Sequence, residues 1–130
     1  LVQQKDFYGA FIQIKALEKR TKGNGTRLIE LAKICINSEE YDAAYECLSY
    51  VKDLGPKNPN YYSAIQALLF IGFKKVTVLN TYTPADLLSL EQNYIDFIKE
   101  AGYAYQQEKE LAQLQIFYLN KIDTAIIVLE

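Results

Sequence analysis

The side chains that most often carry chemistry in proteins are sparse in this sequence. The chain has 130 residues, with no histidine and two cysteines, Cys35 and Cys47. Without histidine, no imidazole can activate a serine or cysteine nucleophile or bind a metal ion. Both cysteines fall in apolar helical segments, where a cysteine serves as a small buried residue; a disulfide between them is the alternative. We predict no metal site and no cofactor.

Two further patterns could carry chemistry. The pairs Glu39/Glu40 and Glu108/Glu110 could act as acid–base groups, but catalytic carboxylates need a cleft with opposed environments. These pairs fall at a helix start or on a polar helix face. The segment from Gly23 to Thr26 has the glycines of a phosphate-binding loop, but such loops follow a strand and contain a lysine. We therefore interpret it as an interhelical turn and predict no catalytic residues and no enzymatic activity.

Charge and hydropathy exclude two other classes of function. The formal net charge is −2 and the isoelectric point is about 5.2, whereas nucleic-acid binding needs a basic surface to neutralise phosphates. No apolar run reaches the roughly 18–20 residues that cross a bilayer. The sequence therefore predicts no nucleic-acid partner and no direct membrane insertion.

Apolar residues recur at helical spacing along nearly the whole chain and would have to position any site. Seven helical segments follow, at about 2–20, 27–37, 39–54, 59–78, 84–102, 106–119 and from 122 onwards. Thr26, Ser38 and Thr83 each precede a segment and are candidate N-caps, and Asn58-Pro59 begins the fourth. The β-branched run 76–79 could be a short extended piece, but we favour the frayed end of a helix.

An apolar pattern repeats with an offset of 34 residues. Its first copy consists of Phe7, Ala10, Ile14 and Leu17, and its second of Tyr41, Ala44, Leu48 and Val51. A fixed offset of this size is typical of solenoids built from helical hairpins. Ala10, Ala32 and Ala44 are small enough to let neighbouring helices approach closely, and we expect them to share one apolar seam.

The run from Leu28 to Pro56 resembles the tetratricopeptide (TPR) repeat. Leu28-x-x-Leu31-Ala32-x-x-Cys35 corresponds to its first helix, Ala44-x-x-x-Leu48 to its second, and Pro56 to its closing proline. Leu28, Cys35 and Leu48 stand where the family has aromatic residues. All three remain apolar, so the packing that the pattern implies is retained.

The resemblance implies an all-α fold, a superhelix of antiparallel helix hairpins in one domain. Residues 1–24 would form the second half of a repeat, 25–58 a full repeat, 59–104 a repeat enlarged by about 13 residues, and 105–130 an incomplete repeat. It also implies a fragment of a longer bacterial multi-repeat protein, located in the cytoplasm or on the periplasmic side of the envelope.

The function implied by the resemblance is a scaffold that binds a protein or peptide in a concave groove lined by first helices. The corresponding residues are Thr26, Ile29, Lys33, Ile36, Asn37, Ser63, Ala67 and Phe70. Lys33 and Asn37 could hold a carboxylate or peptide backbone, but Ser63 and Ala67 replace the further cations of a carboxylate clamp. We therefore expect a mixed apolar and polar groove.

Other interpretations of the same features remain open. The fragment could be a structural segment that self-associates through its ends, or an RNA-binding helical repeat that uses tyrosine and lysine. Six tyrosines cluster in or just after the enlarged repeat, at positions 61, 62, 82, 94, 103 and 105. They could form an interface or fill gaps between helices.

Overall fold

The computed structural model describes residues 6–102 and 104–119, and this part of the chain is all-α, with no strand. Six α-helices and one π-helical turn follow each other: α1 Phe7–Thr21, α2 Thr26–Asn37, α3 Tyr41–Asp53, α4 Tyr61–Lys74, the π-turn Lys75–Leu79, α5 Pro84–Ala101 and α6 Tyr105–Phe117. Neighbouring helices pack together, as in a helical-repeat fold. The predicted all-α class is confirmed, and the predicted seventh segment lies outside the described residues.

One predicted helix cap is confirmed in full. The hydroxyl of Thr83 accepts a hydrogen bond from the Asp86 backbone N–H at 3.1 Å, and the Asp86 carboxylate accepts one from the Thr83 N–H at 2.9 Å. This reciprocal pair satisfies two backbone donors that would otherwise lack a partner. Pro84 occupies the first turn, where its missing N–H costs nothing.

Two other predicted caps are wrong. Thr26 is the first residue of α2, and its own N–H donates to the Asn24 side chain at 3.1 Å. Gly25 is the N-cap and makes no side-chain cap bond, while the Asn24 amide oxygen accepts the Thr26 N–H in a local turn that asparagine commonly forms. Helix α3 begins after Glu40 without a side-chain cap, so Ser38 does not cap it.

The fourth helix continues into the π-turn instead of fraying. Thr77 donates its hydroxyl to the Phe73 carbonyl at 2.8 Å, and Asn80 ends the turn with a positive φ of 55°. Together Tyr61–Leu79 forms 19 helical residues that are long and apolar enough to cross a membrane by length and composition. This corrects the expectation of no such run; core helices of soluble proteins can have the same length and composition.

The chain divides into two compact units, with the boundary between Ile71 and Gly72. In the first unit, α1 packs on α2 and α3, and α2 packs closely on α3. The three residues between α2 and α3 are too few for anything but an antiparallel hairpin. Ala32 and Ala44 are fully buried in its core, and Ala10 is half-buried against it, as the seam prediction requires.

The 34-residue offset recurs in the geometry of the first unit. Helices α1 and α3 begin at Phe7 and Tyr41, 34 residues apart. The side-chain amide of Asn60 donates to the hydroxyl of Thr26 at 3.2 Å, again across 34 residues, and to the Asn24 carbonyl at 3.0 Å. The start of α4 is thereby fastened to the start of α2.

In the second unit, α5 and α6 pack against each other. The buried side chains of these two helices are mostly apolar: Leu87, Leu90, Phe97, Leu111, Ala112 and Leu114. Polar side chains also join the two helices: the fully buried Tyr94 donates to Glu110 at 2.8 Å, and Gln115 donates to Glu91 at 3.0 Å. Buried polar groups need such partners because an unpaired one is costly.

Candidate partner-binding surface

The eight predicted groove residues divide into exposed polar and covered apolar side chains. Thr26, Lys33, Asn37 and Ser63 are exposed. Ile29 belongs to the core at 9% exposure, while Ile36 and Ala67 are half-buried against it and Phe70 is half-buried. The apolar members therefore present limited area, and the polar members supply most of the accessible surface.

These residues occupy equivalent places on two consecutive first helices. Ile29 and Ser63, Lys33 and Ala67, and Ile36 and Phe70 are each separated by 34 residues. Within each helix the three positions lie on one face, because they are spaced by three or four residues. The bond between Thr26 and Asn60 fastens the beginnings of these helices together. We call the eight residues the α2–α4 surface.

The charge on the α2–α4 surface is small. Lys33 is an exposed cation, and Asn37 follows one turn later on the same face. The equivalent positions on α4 are Ala67 and the buried Ile71, so no second cation faces a ligand from there. The surface suits a ligand with apolar groups and backbone amides better than one with a terminal carboxylate.

The cysteine thiols are free and buried, and the disulfide alternative does not hold. The pKa of Cys47 is raised to about 12, chiefly because burial disfavours the thiolate and further because Cys35 lies nearby. Burial likewise raises the pKa of Cys35. Since the thiolate is the nucleophile and the metal ligand, neither cysteine is poised for that chemistry near neutral pH.

The structure places the members of the acidic pairs in different surroundings. Glu39 and Glu40 are exposed at the α2–α3 connection, whereas Glu110 is buried and accepts hydrogen bonds from Tyr94 and Gln106. The expectation that Glu110 lies on an exposed face is wrong: α6 turns it into the seam with α5. No group of three or more possible metal-binding side chains occurs in the described part of the chain.

The tyrosines of the proposed enlarged repeat serve different purposes. Tyr94 is fully buried, while Tyr62 and Tyr105 are exposed at 44% and 62%. The Tyr61 and Tyr62 rings meet edge to face at 5.2 Å, and Tyr82 meets Tyr118 in the same way at 6.3 Å. Tyr103 lies outside the described residues. These tyrosines do not all share one role.

The structure adds a second exposed surface that the sequence did not single out. Tyr8 and Ile12 project from α1, and Tyr45 projects from α3, with exposures of 50%, 64% and 49%. The repeat would not have revealed this exposure, because Tyr45 occupies the position of Phe11, which is buried at 8% exposure.

No protein-family model, curated protein or solved structure matches this chain.

Proposed function

We propose that the chain is a TPR-like helical repeat that acts as a protein-interaction scaffold and binds a peptide or partner protein on the α2–α4 surface. The observation that supports this most is the hydrogen bond between Thr26 and Asn60, one repeat apart. A groove lined by first helices requires equivalent residues of successive repeats to lie side by side. The bond between Thr26 and Asn60 supports this arrangement, because the two residues are 34 positions apart.

The chemistry of the surface favours an extended or helical peptide with apolar side chains. Ile36, Ala67 and Phe70 are half-buried, so each has part of its apolar area available to a ligand. Lys33 and Asn37 add donors that can bond a peptide carbonyl or a side-chain carboxylate. The surface therefore offers a limited apolar area together with exposed polar groups, a mixture that protein interfaces commonly have.

A displayed library of random 12-residue peptides tests the proposal. Peptides selected on the native chain should bind at least about tenfold more weakly to the double variant Lys33→Glu/Ser63→Arg, because the variant reverses the charge at Lys33 and places a bulky side chain at Ser63. A tenfold change in affinity corresponds to about 1.4 kcal/mol. Both residues are exposed, so the fold should tolerate the changes. Circular dichroism of the variant checks this.

The matched control is Lys109→Glu/Ser89→Arg, which makes the same changes at exposed positions on α6 and α5. Peptides that bind through the α2–α4 surface should bind this control as they bind the native chain. Failure to select any peptide, or equal weakening by both double variants, would argue against the proposal.

Self-assembly is a second candidate function, favoured by exposed apolar side chains on described helices outside the α2–α4 surface. Phe117 on α6 is 71% exposed and Ile12 on α1 is 64% exposed. Large exposed apolar groups often mark contacts between proteins. Sedimentation equilibrium over a hundredfold range of concentration should show a rising mean mass if the chain assembles, and a constant monomer mass otherwise.

A further inference from the structure

The turn before α2 joins an exposed asparagine to a glycine, Asn24 to Gly25, and no other asparagine in the sequence precedes a glycine. The side-chain oxygen of Asn24 accepts two hydrogen bonds from Thr26, one from its N–H at 3.1 Å and one from its hydroxyl at 2.6 Å. The Gly25 N–H donates no hydrogen bond in the described part of the chain. Because glycine has no Cβ, no side chain of its own shields that nitrogen.

The two hydrogen bonds to Asn24 are the end of a longer chain of donors. The Asn60 amide donates to the Thr26 hydroxyl at 3.2 Å, and that hydroxyl donates to the Asn24 side-chain oxygen. Hydrogen bonds linked in this way polarise one another. Donors aimed at a carbonyl oxygen also stabilise the negative charge that forms there when a nucleophile attacks the carbon. The side-chain amide of Asn24 is therefore prepared for attack.

We propose that Asn24 is a self-modification site, at which the folded chain converts this asparagine into aspartate and isoaspartate. The Gly25 nitrogen loses its proton to water and forms a bond to Cγ of Asn24, while Thr26 stabilises the negative oxygen. The bond from Cγ to Nδ2 then breaks, and Nδ2 leaves as ammonia with a proton from water. The product is a five-membered cyclic imide.

Water then opens the imide. Addition to the Cγ carbonyl breaks the bond from Cγ to the Gly25 nitrogen and gives aspartate. Addition to the former main-chain carbonyl of residue 24 breaks the bond from that carbon to the same nitrogen and gives isoaspartate. In both cases the nitrogen regains a proton and a carboxylate remains.

The modification would change the charge and the contacts at the start of α2. The formal net charge goes from −2 to −3, and a negative charge is favourable near the first turn of a helix. In isoaspartate the former Asn24 carbonyl, which accepts a hydrogen bond from Asn60 at 3.0 Å, becomes part of a free carboxylate. The reaction needs no ligand, so it does not depend on peptide binding to the α2–α4 surface.

The repeat supplies an internal control. Asn58 lies 34 residues after Asn24, and its side-chain oxygen accepts a hydrogen bond from the Asn60 N–H at 2.8 Å, in the same kind of turn. The next residue is Pro59, whose nitrogen carries no hydrogen and cannot form the neutral imide. The chain thus contains one turn with a nucleophilic N–H and an equivalent turn without one.

Peptide mapping by mass spectrometry tests the proposal on the full chain, incubated at pH 8 and 37 °C and sampled over time. Trypsin cleaves after Lys22, Arg27 and Lys57, so Asn24 and Asn58 fall in different peptides. Residue 24 should gain about 1 Da as NH₂ is replaced by OH, and Asn58 should stay unchanged. No gain at residue 24, or an equal gain at Asn58, would overturn the proposal.

The role of the fold is tested by two substitutions of Thr26. Thr26→Val lacks the hydroxyl and should react about threefold more slowly or less, as expected for the loss of one neutral hydrogen bond. Thr26→Ser keeps the hydroxyl and should react at nearly the native rate. Circular dichroism checks that both variants are folded.

The same rates measured in 8 M urea separate the fold from the local sequence. There the native chain and Thr26→Val should react equally fast, because the turn no longer holds the hydroxyl against Asn24. Equal rates of these two chains in the folded state, or the same difference between them in urea, would show that the hydrogen bonds of the turn do not promote the reaction and would overturn the proposal.

Discussion

Tyr94 shows how a single polar atom can be required inside an apolar seam. Its side chain is fully buried, and its hydroxyl donates to Glu110 across the α5–α6 interface at 2.8 Å. Burial, together with the charge and hydrogen bond of Glu110, raises the pKa of the phenol, so it stays protonated and remains a donor. Helical periodicity predicts that Tyr94 is buried, but not which partner its hydroxyl finds.

Replacement of Tyr94 by phenylalanine should destabilise the chain by about 1–3 kcal/mol, because Glu110 would lose a donor while remaining buried. Urea unfolding followed by circular dichroism measures the change in the free energy of unfolding. Tyr105→Phe is the control, since Tyr105 is 62% exposed, and it should change stability by less than about 0.5 kcal/mol. Equal effects of the two substitutions would contradict the role given to the Tyr94 hydroxyl.

The thiol of Cys47 should make stability depend on pH in the alkaline range. In the unfolded chain its pKa is the ordinary 9.0, and in the folded chain it is about 12. Above pH 9 the unfolded state therefore binds fewer protons than the folded state, and the free energy of unfolding falls as pH rises towards 12. The slope from this one group is at most about 1.4 kcal/mol per pH unit.

Urea unfolding at intervals between pH 7 and pH 11 measures this slope. Other groups also titrate there, so the comparison is with Cys47→Ala, which lacks the thiol and should lose stability less steeply above pH 9. Parallel curves for the native chain and the variant would show that Cys47 is not protected from ionisation in the fold.

At the scale of elements, two glycines that end or precede helices differ in what surrounds them. Gly25 precedes α2 with a φ of 91°, and a Cβ added there would lie 2.9 Å from Cγ2 of Val51. Gly55 follows α3 with a φ of 107°, and an added Cβ would meet nothing within 4 Å. Both backbones are left-handed, a region that residues with a side chain disfavour.

Because the backbone strain is similar at both sites, the two substitutions separate strain from crowding. Gly55→Ala should lower the free energy of unfolding by about 1 kcal/mol, the cost of a left-handed alanine. Gly25→Ala should lower it by about 2–4 kcal/mol, because Val51 must move as well. Thermal and urea unfolding of both variants measure the two losses in the free energy of unfolding. An equal loss would show that Val51 can move away from the added Cβ with no loss of stability.

Helix boundaries illustrate which elements the sequence can predict. Thr83, Pro84 and Asp86 form a self-contained signal, so the start of α5 was predictable. The start of α2 was misplaced because Asn24 and Thr26 compete for the same role, and local sequence does not decide between them. In the π-turn Val76 is buried and Thr77 donates to the Phe73 carbonyl four residues earlier. The burial of Val76 is a tertiary fact that β-branched propensity alone does not contain.

The surfaces were less predictable than the helices. The repeat offset predicts which positions of α2 and α4 are equivalent, and the hydrogen bond between Thr26 and Asn60 is the described contact that spans this offset. The exposure of each residue of the α2–α4 surface was not predictable, since Ile29 lies in the core. The exposure of Tyr8 and Ile12 was not predictable either, since helical spacing alone does not show which apolar residues of α1 the neighbouring helices cover.

At the scale of the whole molecule, charge restricts the class of partner. The formal net charge of −2 leaves no excess of cations to displace the counterions of a nucleic acid. We predict no salt-sensitive binding of a 20-residue oligouridylate in filter assays at 50 mM and 200 mM NaCl. Binding that falls steeply between these salt concentrations would instead favour the RNA-binding interpretation of the tyrosines and lysines.

The amide of Asn60 has a consequence for protein engineering. If residues 27–60 were copied in tandem, each copy would end in an asparagine placed to reach the residue 34 positions earlier. An asparagine amide can both donate and accept, so the asparagine of each later copy could bond the asparagine of the copy before it. Only the asparagine of the first copy would bond Thr26. A tandem array of this segment would show whether the hydrogen bond recurs at each junction.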